Sequence, residues 1–154
     1  SEINGKHDGR IITCPIPPSS LEENCAYQRL IPTGRNADYT EDLRLLYIIG
    51  KPQIVFHKLK ETQKQFGTDY FKVTPIAPDT VFSAQELSLI TKFCNAIGLD
   101  FGALDVLRST SDGRIYIVDV NKTGMPVMCL PLKAQYKAFQ NIAKQFKAGL
   151  EQIE

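Results

Sequence analysis

The chain has 154 residues, a formal net charge of +1, 43% hydrophobic residues and 23% charged residues. This balance is typical of a globular protein with a hydrophobic core, so we interpret residues 1–154 as a single domain. The near-neutral charge argues against nucleic acid as a partner, and the apolar runs are too short to span a membrane. Four widely spaced cysteines without a Cys-x-x-Cys pair indicate reduced thiols, and we expect a cytoplasmic location.

The first half of the chain predicts β-strands. Ala26–Ile31 is a candidate for a short strand that Pro32 ends. Leu43–Ile49 and Gln53–Lys58 are mostly apolar runs of strand length, and the residues between them, 50–52, contain Gly and Pro. Two such runs around a short turn predict a β-hairpin.

The second half adds two helices and a second hairpin. Ser83 and Glu86 have the spacing of a capping box, which predicts a helix of about 14 residues that ends near Gly98. Apolar residues at helical spacing predict a last helix over residues 133–153. The order of strand, hairpin, helix, hairpin and helix lacks a βαβ alternation. We therefore expect an α+β fold, an antiparallel or mixed sheet with helices packed on one face.

The second hairpin carries three side chains with oxygen ligands: Asp105, Asp119 and Asn121. Asp119 and Asn121 are two residues apart, so they share one face of their strand. A three-residue loop at 111–113 would place Asp105 opposite Asp119, and all three side chains would converge. A two-residue Asp-Gly loop would instead place Asp105 opposite Val120 and turn Asp119 to the other face.

Two carboxylates and an amide oxygen on paired strands predict a site for Mg²⁺, which prefers such ligands. The hairpin has no Cys or His beside them, which argues against zinc. The alternative is that both aspartates are solvated strand residues. Asp and Asn are depleted in strands, and here they interrupt apolar runs where an unpaired charge is costly to bury. From the residues alone, both interpretations stay open.

Four motifs, in the order in which they occur along the chain, resemble those of the ATP-grasp fold. This family includes D-alanine–D-alanine ligase, glutathione synthetase and the ribosomal-protein glutamate ligases. Gln28–Ile31 resembles its hinge strand, whose backbone contacts adenine, and Asp42-Leu43-Arg44 resembles its Asp-x-Arg strand. Leu99–Asp105 and Asp119-Val120-Asn121 resemble the last two strands, which carry the metal ligands. The motifs cover about residues 25–125, and their layout is most similar to that of ligases that modify peptides.

This resemblance implies ATP and Mg²⁺ as cofactors and a carboxylate-bearing substrate, either a small molecule or a peptide. The implied reaction transfers the γ-phosphate to the carboxylate, and an amine or related nucleophile then attacks the acyl phosphate. Arg44 would act as the catalytic residue by binding phosphate oxygens. The implied metal ligands are Asp105, Asp119 and Asn121. The residues expected to contact ATP are Gln28, Arg29, Leu30, Ile31 and Lys58.

The chain also departs from the family. Arg29 stands where members often carry an acid, Asp119 stands where many carry Glu, and Lys122-Thr123-Gly124 replaces a loop with Pro. ATP-grasp enzymes are considerably longer, so we interpret the chain as the C-terminal part of a ligase, inactive by itself. Residues 1–25 would then be a remnant of the preceding subdomain. The alternative function is a non-catalytic domain that keeps the fold and binds a peptide or protein.

Overall fold

The computed structural model describes residues 29–34, 36, 38–64, 70–123 and 130–151. The chain divides into two compact units, Ser1–Pro32 and Thr33–Glu154. The described residues of the first unit have no regular secondary structure. The strand predicted over Ala26–Ile31 is therefore wrong at Arg29, Leu30 and Ile31, the residues of that strand that are described. Residues 26–28 of that prediction lie outside the described residues.

The second unit is an α+β fold. Its strands are β1 (Tyr39–Ile48), β2 (Lys51–Glu61), β3 (Lys72–Ile76), β4 (Phe101–Arg108) and β5 (Ile115–Asn121), and its helices are α1 (Ala84–Ala96) and α2 (Leu132–Leu150). The described strands form one antiparallel sheet in the order β3-β2-β1-β4-β5. The predicted fold class is thus confirmed at the level of an antiparallel sheet with helices. None of the described helices is long and apolar enough to cross a membrane.

The first hairpin turns earlier than the sequence predicts. Ile48 pairs with Lys51, so the loop is Ile49-Gly50 and not residues 50–52. Both loop residues have positive φ, 38° and 75°, which is the backbone that two-residue hairpin loops need. Pro52 lies within β2, beside a shift in the register, where a missing N–H does little damage to the ladder.

Helix α1 begins at the predicted capping box. The Ser83 hydroxyl oxygen accepts the Glu86 backbone N–H at 3.2 Å, and the Glu86 carboxylate accepts the Ser83 N–H at 2.8 Å. Gly98, with φ of 62°, follows the helix in the left-handed conformation that commonly ends one. Ile90 and Cys94 are buried against the sheet, and burial raises the pKa of the Cys94 thiol to about 11.

The two faces of the sheet have different partners. Leu45 and Tyr47 of β1 belong to the core that α1 covers. Side chains alternate along a strand, so Ile48 and its cross-strand partner Phe101 lie on the opposite face, where Phe101 contacts Phe146 of α2. The expectation that both helices share one face is therefore wrong. The continuous apolar run of β1 accounts for this, since such a run indicates a strand buried on both faces.

Candidate functional site

Asp105 of β4 lies opposite Asp119 of β5. Opposed residues of an antiparallel pair project from the same face, and so do residues two apart on one strand. Asp105, Asp119 and Asn121 therefore share the face of the sheet that lies opposite α1. The Asp105 side chain is 25% exposed, whereas Asp119 is exposed. The register that these three side chains need is confirmed.

This register comes from a bulge and not from a three-residue loop. The Ser109 N–H donates to the Arg114 carbonyl oxygen at 2.9 Å, so the loop consists of residues 110–113. That loop by itself would place Asp105 opposite Val118. The ladder shifts by one residue beside Asp105 and leaves Val118 without a partner in it. An extra residue of this kind is a β-bulge, which changes the face to which the following side chains point.

Two cations from the neighbouring strands reach Asp105. Arg44 of β1 is paired with Asp105 in the register, and its Nη1 lies 3.5 Å from Oδ2. The Nζ atom of Lys58, on β2, lies 3.4 Å from Oδ1. The Lys58 side chain is only 4% exposed. Because an ammonium group is costly to bury without a counter-charge, the Asp105 carboxylate is what stabilises Lys58 at this position.

A second ion pair continues the same charged face. Lys60 Nζ lies 3.0 Å from Asp42 Oδ2. The Tyr70 ring lies 5.0 Å from the Lys58 ammonium and 5.2 Å from that of Lys60, close enough for cation–π attraction to both. We call these residues the charged cluster: Asp42, Arg44, Lys58, Lys60, Tyr70, Asp105 and Asp119.

Part of the charged cluster was not predicted from the sequence. The sequence singled out Lys58 as an ATP contact but did not show that Lys58 and Lys60 would both be buried, with β3 lying outside β2. Their spacing of two, matched by Asp42 and Arg44 on the first strand of the hairpin, is the signal that groups the ion pairs. No sequence signal pointed to Tyr70.

Asn121 is engaged locally. Its carboxamide oxygen accepts the Thr123 backbone N–H at 2.9 Å and the Thr123 hydroxyl at 2.8 Å. These bonds use both lone pairs of that oxygen. Among the described residues, no group of three or more His, Cys, Asp or Glu side chains is arranged to hold a metal ion. Asp105 and Asp119 fit Mg²⁺ as a pair of carboxylate ligands. Two carboxylates suffice when phosphate oxygens and water molecules complete the coordination shell of the metal. Asn121 fits only if it releases Thr123.

Comparison with known proteins adds no family to this geometry. No family model, no curated protein and no solved structure matches the chain. The resemblance to ATP-grasp enzymes is therefore carried by the motifs of the sequence. Of the residues that those motifs single out, Arg44, Asp105, Asp119 and Asn121 share one face of the sheet.

The residues that we expect to contact the adenine of ATP belong to the first unit, except where they lie outside the described residues. Gln28 lies outside the described residues. Arg29, Leu30 and Ile31 are described, but they have no regular secondary structure, and Leu30 is exposed. The hinge strand that the resemblance implies is therefore wrong for these three residues. Their contact with adenine stays a prediction.

Arg108 fixes the hairpin that carries the two aspartates. Its Nη1 donates to Glu86 Oε1 at 2.8 Å and to the Gly113 carbonyl oxygen at 2.9 Å, and its Nη2 donates to the Val81 carbonyl oxygen at 2.7 Å. The guanidinium thus joins the end of β4, the hairpin loop and the start of α1. Its hydrogen bond to Glu86 lowers the pKa of that carboxyl group and raises the pKa of Arg108.

Proposed function

We propose that this chain is the metal-binding C-terminal part of an ATP- and Mg²⁺-dependent ligase of the ATP-grasp type. The observation that carries the proposal is the opposition of Asp105 and Asp119 on the face that also presents Arg44 and Lys58. Carboxylates beside cations form the charge pattern that suits a magnesium polyphosphate. The carboxylates bind the metal, and the cations bind the phosphate oxygens that the metal leaves free.

Arg44 supports the phosphate-binding role. Its Nε atom is buried and has no hydrogen-bond partner among the described residues. An unsatisfied buried donor is costly, by about 1–3 kcal/mol, and most such donors in proteins are paired. A phosphate oxygen would satisfy this donor, and the planar guanidinium suits a two-point contact with phosphate.

The proposed reaction makes an acyl phosphate. The γ-phosphate passes from ATP to the carboxylate of a small molecule or peptide and leaves ADP. An amine or related nucleophile then attacks the acyl carbon, loses a proton and displaces phosphate. Bound Mg²⁺ would supply neutralisation of the phosphate charge. Arg44 would orient the transferred phosphate by its guanidinium, and Lys58 would stabilise the phosphate oxygens as a point charge.

In the charged cluster, Arg44 and Lys58 can exchange the Asp105 carboxylate for phosphate oxygens. Arg44 and Lys58 both contact Asp105 at 3.4–3.5 Å, long distances for charge-assisted hydrogen bonds. Each cation gives up a weak contact when it turns to a phosphate oxygen. Asp105 then keeps a positive partner only if a metal ion is present. Binding of the nucleotide and of Mg²⁺ should therefore depend on each other.

Paramagnetic broadening tests the proposal. Titration of the ¹⁵N-labelled chain with ATP and Mn²⁺, in place of Mg²⁺, should broaden the amide signals around Asp105 and Asp119. Asp119→Asn should weaken this effect by about tenfold or more. Asp112→Asn, the same change at the tip of the same hairpin, is the matched control and should leave it unchanged. The metal site would be ruled out if the amide signals of β4 and β5 did not broaden. It would also be ruled out if the signals of Asp119→Asn and Asp112→Asn broadened equally.

A second candidate is a non-catalytic domain that binds a peptide or protein. Three cations and three carboxylates make the charged cluster neutral without a ligand, and Thr123 already satisfies Asn121. These features favour a structural role for the same side chains. For this candidate, ATP with Mn²⁺ leaves the signals of Asp105 and Asp119 unchanged, so the titration separates the two functions.

A further inference from the structure

Helix α2 exposes a stripe of apolar side chains, which we call the α2 seam: Leu132, Tyr136, Phe139, Ala143, Phe146 and Leu150. The relative exposure of Leu132 is 83%, of Tyr136 66%, of Phe139 40% and of Leu150 57%. Large apolar side chains in a continuous exposed stripe commonly mark an interaction site. Five of the six seam residues are therefore exposed, and Phe146, which contacts Phe101, is half-buried.

The face of α2 that meets the sheet is a different one. Ala138 is buried, and Gly149 lies so close to Ile49 that a Cβ atom at Gly149 would be 2.7 Å from Ile49 Cδ1. At 3.6 residues per turn, positions 138 and 149 lie about 100–120° from the middle of the seam. Most of the seam remains exposed after α2 has packed. Phe146, at its border, is the seam residue whose ring contacts Phe101.

The spacing of the seam indicates what covers it. Successive seam residues are separated by four, three, four, three and four positions. The exposed seam residues thus recur at the heptad spacing of a seam between two helices. Ile142, which is half-buried, lies between this seam and the face of α2 that meets the sheet. A membrane surface is a poorer fit, because the sheet borders the seam on one side and an interfacial helix needs a free apolar face.

The other border of the seam is basic. Four lysines lie on the side away from the sheet, and no Asp or Glu occurs between Leu132 and Leu150. The four are Lys133, Lys137, Lys144 and Lys147. A second copy of the chain in antiparallel pairing would place Lys133 against Lys147, and like charges at such positions oppose pairing. An acidic partner helix would have complementary charge.

We propose that the α2 seam binds an amphipathic helix of a partner protein. That helix has apolar residues at heptad spacing and acidic residues along the border that faces the lysines. The apolar seam supplies the buried area, and the lysine row sets the orientation and selects against basic helices. This inference is independent of the proposed nucleotide site, since it uses no residue of the charged cluster.

Two synthetic peptides test this proposal with the full chain. The first is a fluorescent heptad-repeat peptide with apolar core positions and Glu at the flanking positions. The second carries Lys in place of each Glu. In fluorescence anisotropy, we expect the acidic peptide to bind at least about tenfold more tightly than the basic one. Failure of the acidic peptide to bind, or equal binding of both, would overturn the proposal.

Variants locate the binding on α2. The double variant Leu132→Gln and Tyr136→Gln changes mainly exposed atoms, so it should fold, and it should weaken binding of the acidic peptide by about tenfold or more. The double variant Lys133→Glu and Lys147→Glu should reverse the preference between the peptides. Lys92→Glu, at an exposed position of α1, is the control and should change neither. Unchanged affinity in the seam variant contradicts the proposal.

Two further measurements decide against other occupants. Vesicles of phosphatidylcholine and phosphatidylserine should not sediment with the chain. In sedimentation equilibrium, we expect no dimer of the wild-type chain that dissociates in the double variant Leu132→Gln and Tyr136→Gln. Seam-dependent sedimentation with vesicles would identify a lipid surface as the occupant, and a seam-dependent dimer would identify a second copy. Either result would overturn the proposal of an acidic helix.

Discussion

Asp105 and Asp119 face each other across β4 and β5 because Val118 is bulged out of the ladder between them. Without this bulge, the register of the loop would place Asp119 opposite Leu104, which is fully buried in the core beneath α1. A carboxylate there would lose its hydration without a partner. The bulge instead turns Asp119 outwards and lets Val120 pack against the core. The hydrophobic pattern of β5 thus enforces the register that the charged cluster needs.

The two aspartates should differ in their effect on stability. Asp105→Asn removes the negative charge that faces Lys58, and it should lower the free energy of unfolding by about 2 kcal/mol because the ammonium is then buried without that counter-charge. Asp119→Asn alters an exposed group and should stay within about 0.5 kcal/mol of the wild type. Urea unfolding followed by circular dichroism measures both. Equal losses in the two variants would show that Asp105 does not stabilise Lys58.

The sequence predicted the elements of the second unit better than the details of their connections. The capping box at Ser83 fixed the start of α1, since one short motif satisfies the free backbone groups of the first turn. The pairing of Asp105 with Asp119 was predicted through a three-residue loop, but a longer loop and a bulge produce the same pairing. Alternation and hydrophobicity determine which residues oppose each other, and they do not determine how the loop achieves it.

Burial was harder to predict than secondary structure. The helical spacing defined the apolar residues of α2, but not that Ala138 would face the sheet while Tyr136 stayed exposed. Lys58 and Lys60 are buried because β3 covers the outer edge of β2 and Tyr70 lies against their ammonium groups. These contacts join residues that are distant in sequence, so no local pattern predicts them.

Gly102 should be required for the close approach of β4 and β5. A Cβ atom at this position would lie 2.7 Å from the Asn121 carbonyl oxygen and 2.9 Å from Leu99 Cδ1. Backbone cannot yield as a flexible side chain does, so Gly102→Ala should cost about 2 kcal/mol in urea unfolding and shift the amide signals of β5. Gly34→Ala, whose nearest atom would be 3.7 Å away, is the matched control. Similar losses in both variants would argue against this constraint.

Acid should weaken the contact between Glu86 and Arg108. The hydrogen bond from Arg108 lowers the pKa of Glu86 below its ordinary value of 4.5, so this contact stabilises the fold above that value and is lost as the pH falls through the lowered pKa. Glu86→Gln should therefore be less stable than the wild type at neutral pH, and the difference should shrink in acid. Urea unfolding between neutral and acidic pH measures the difference. In an Arg108→Gln background, the stability difference that Glu86→Gln makes should depend little on pH. If the difference between the wild type and Glu86→Gln stayed constant with pH, the contact between Glu86 and Arg108 would not be its cause.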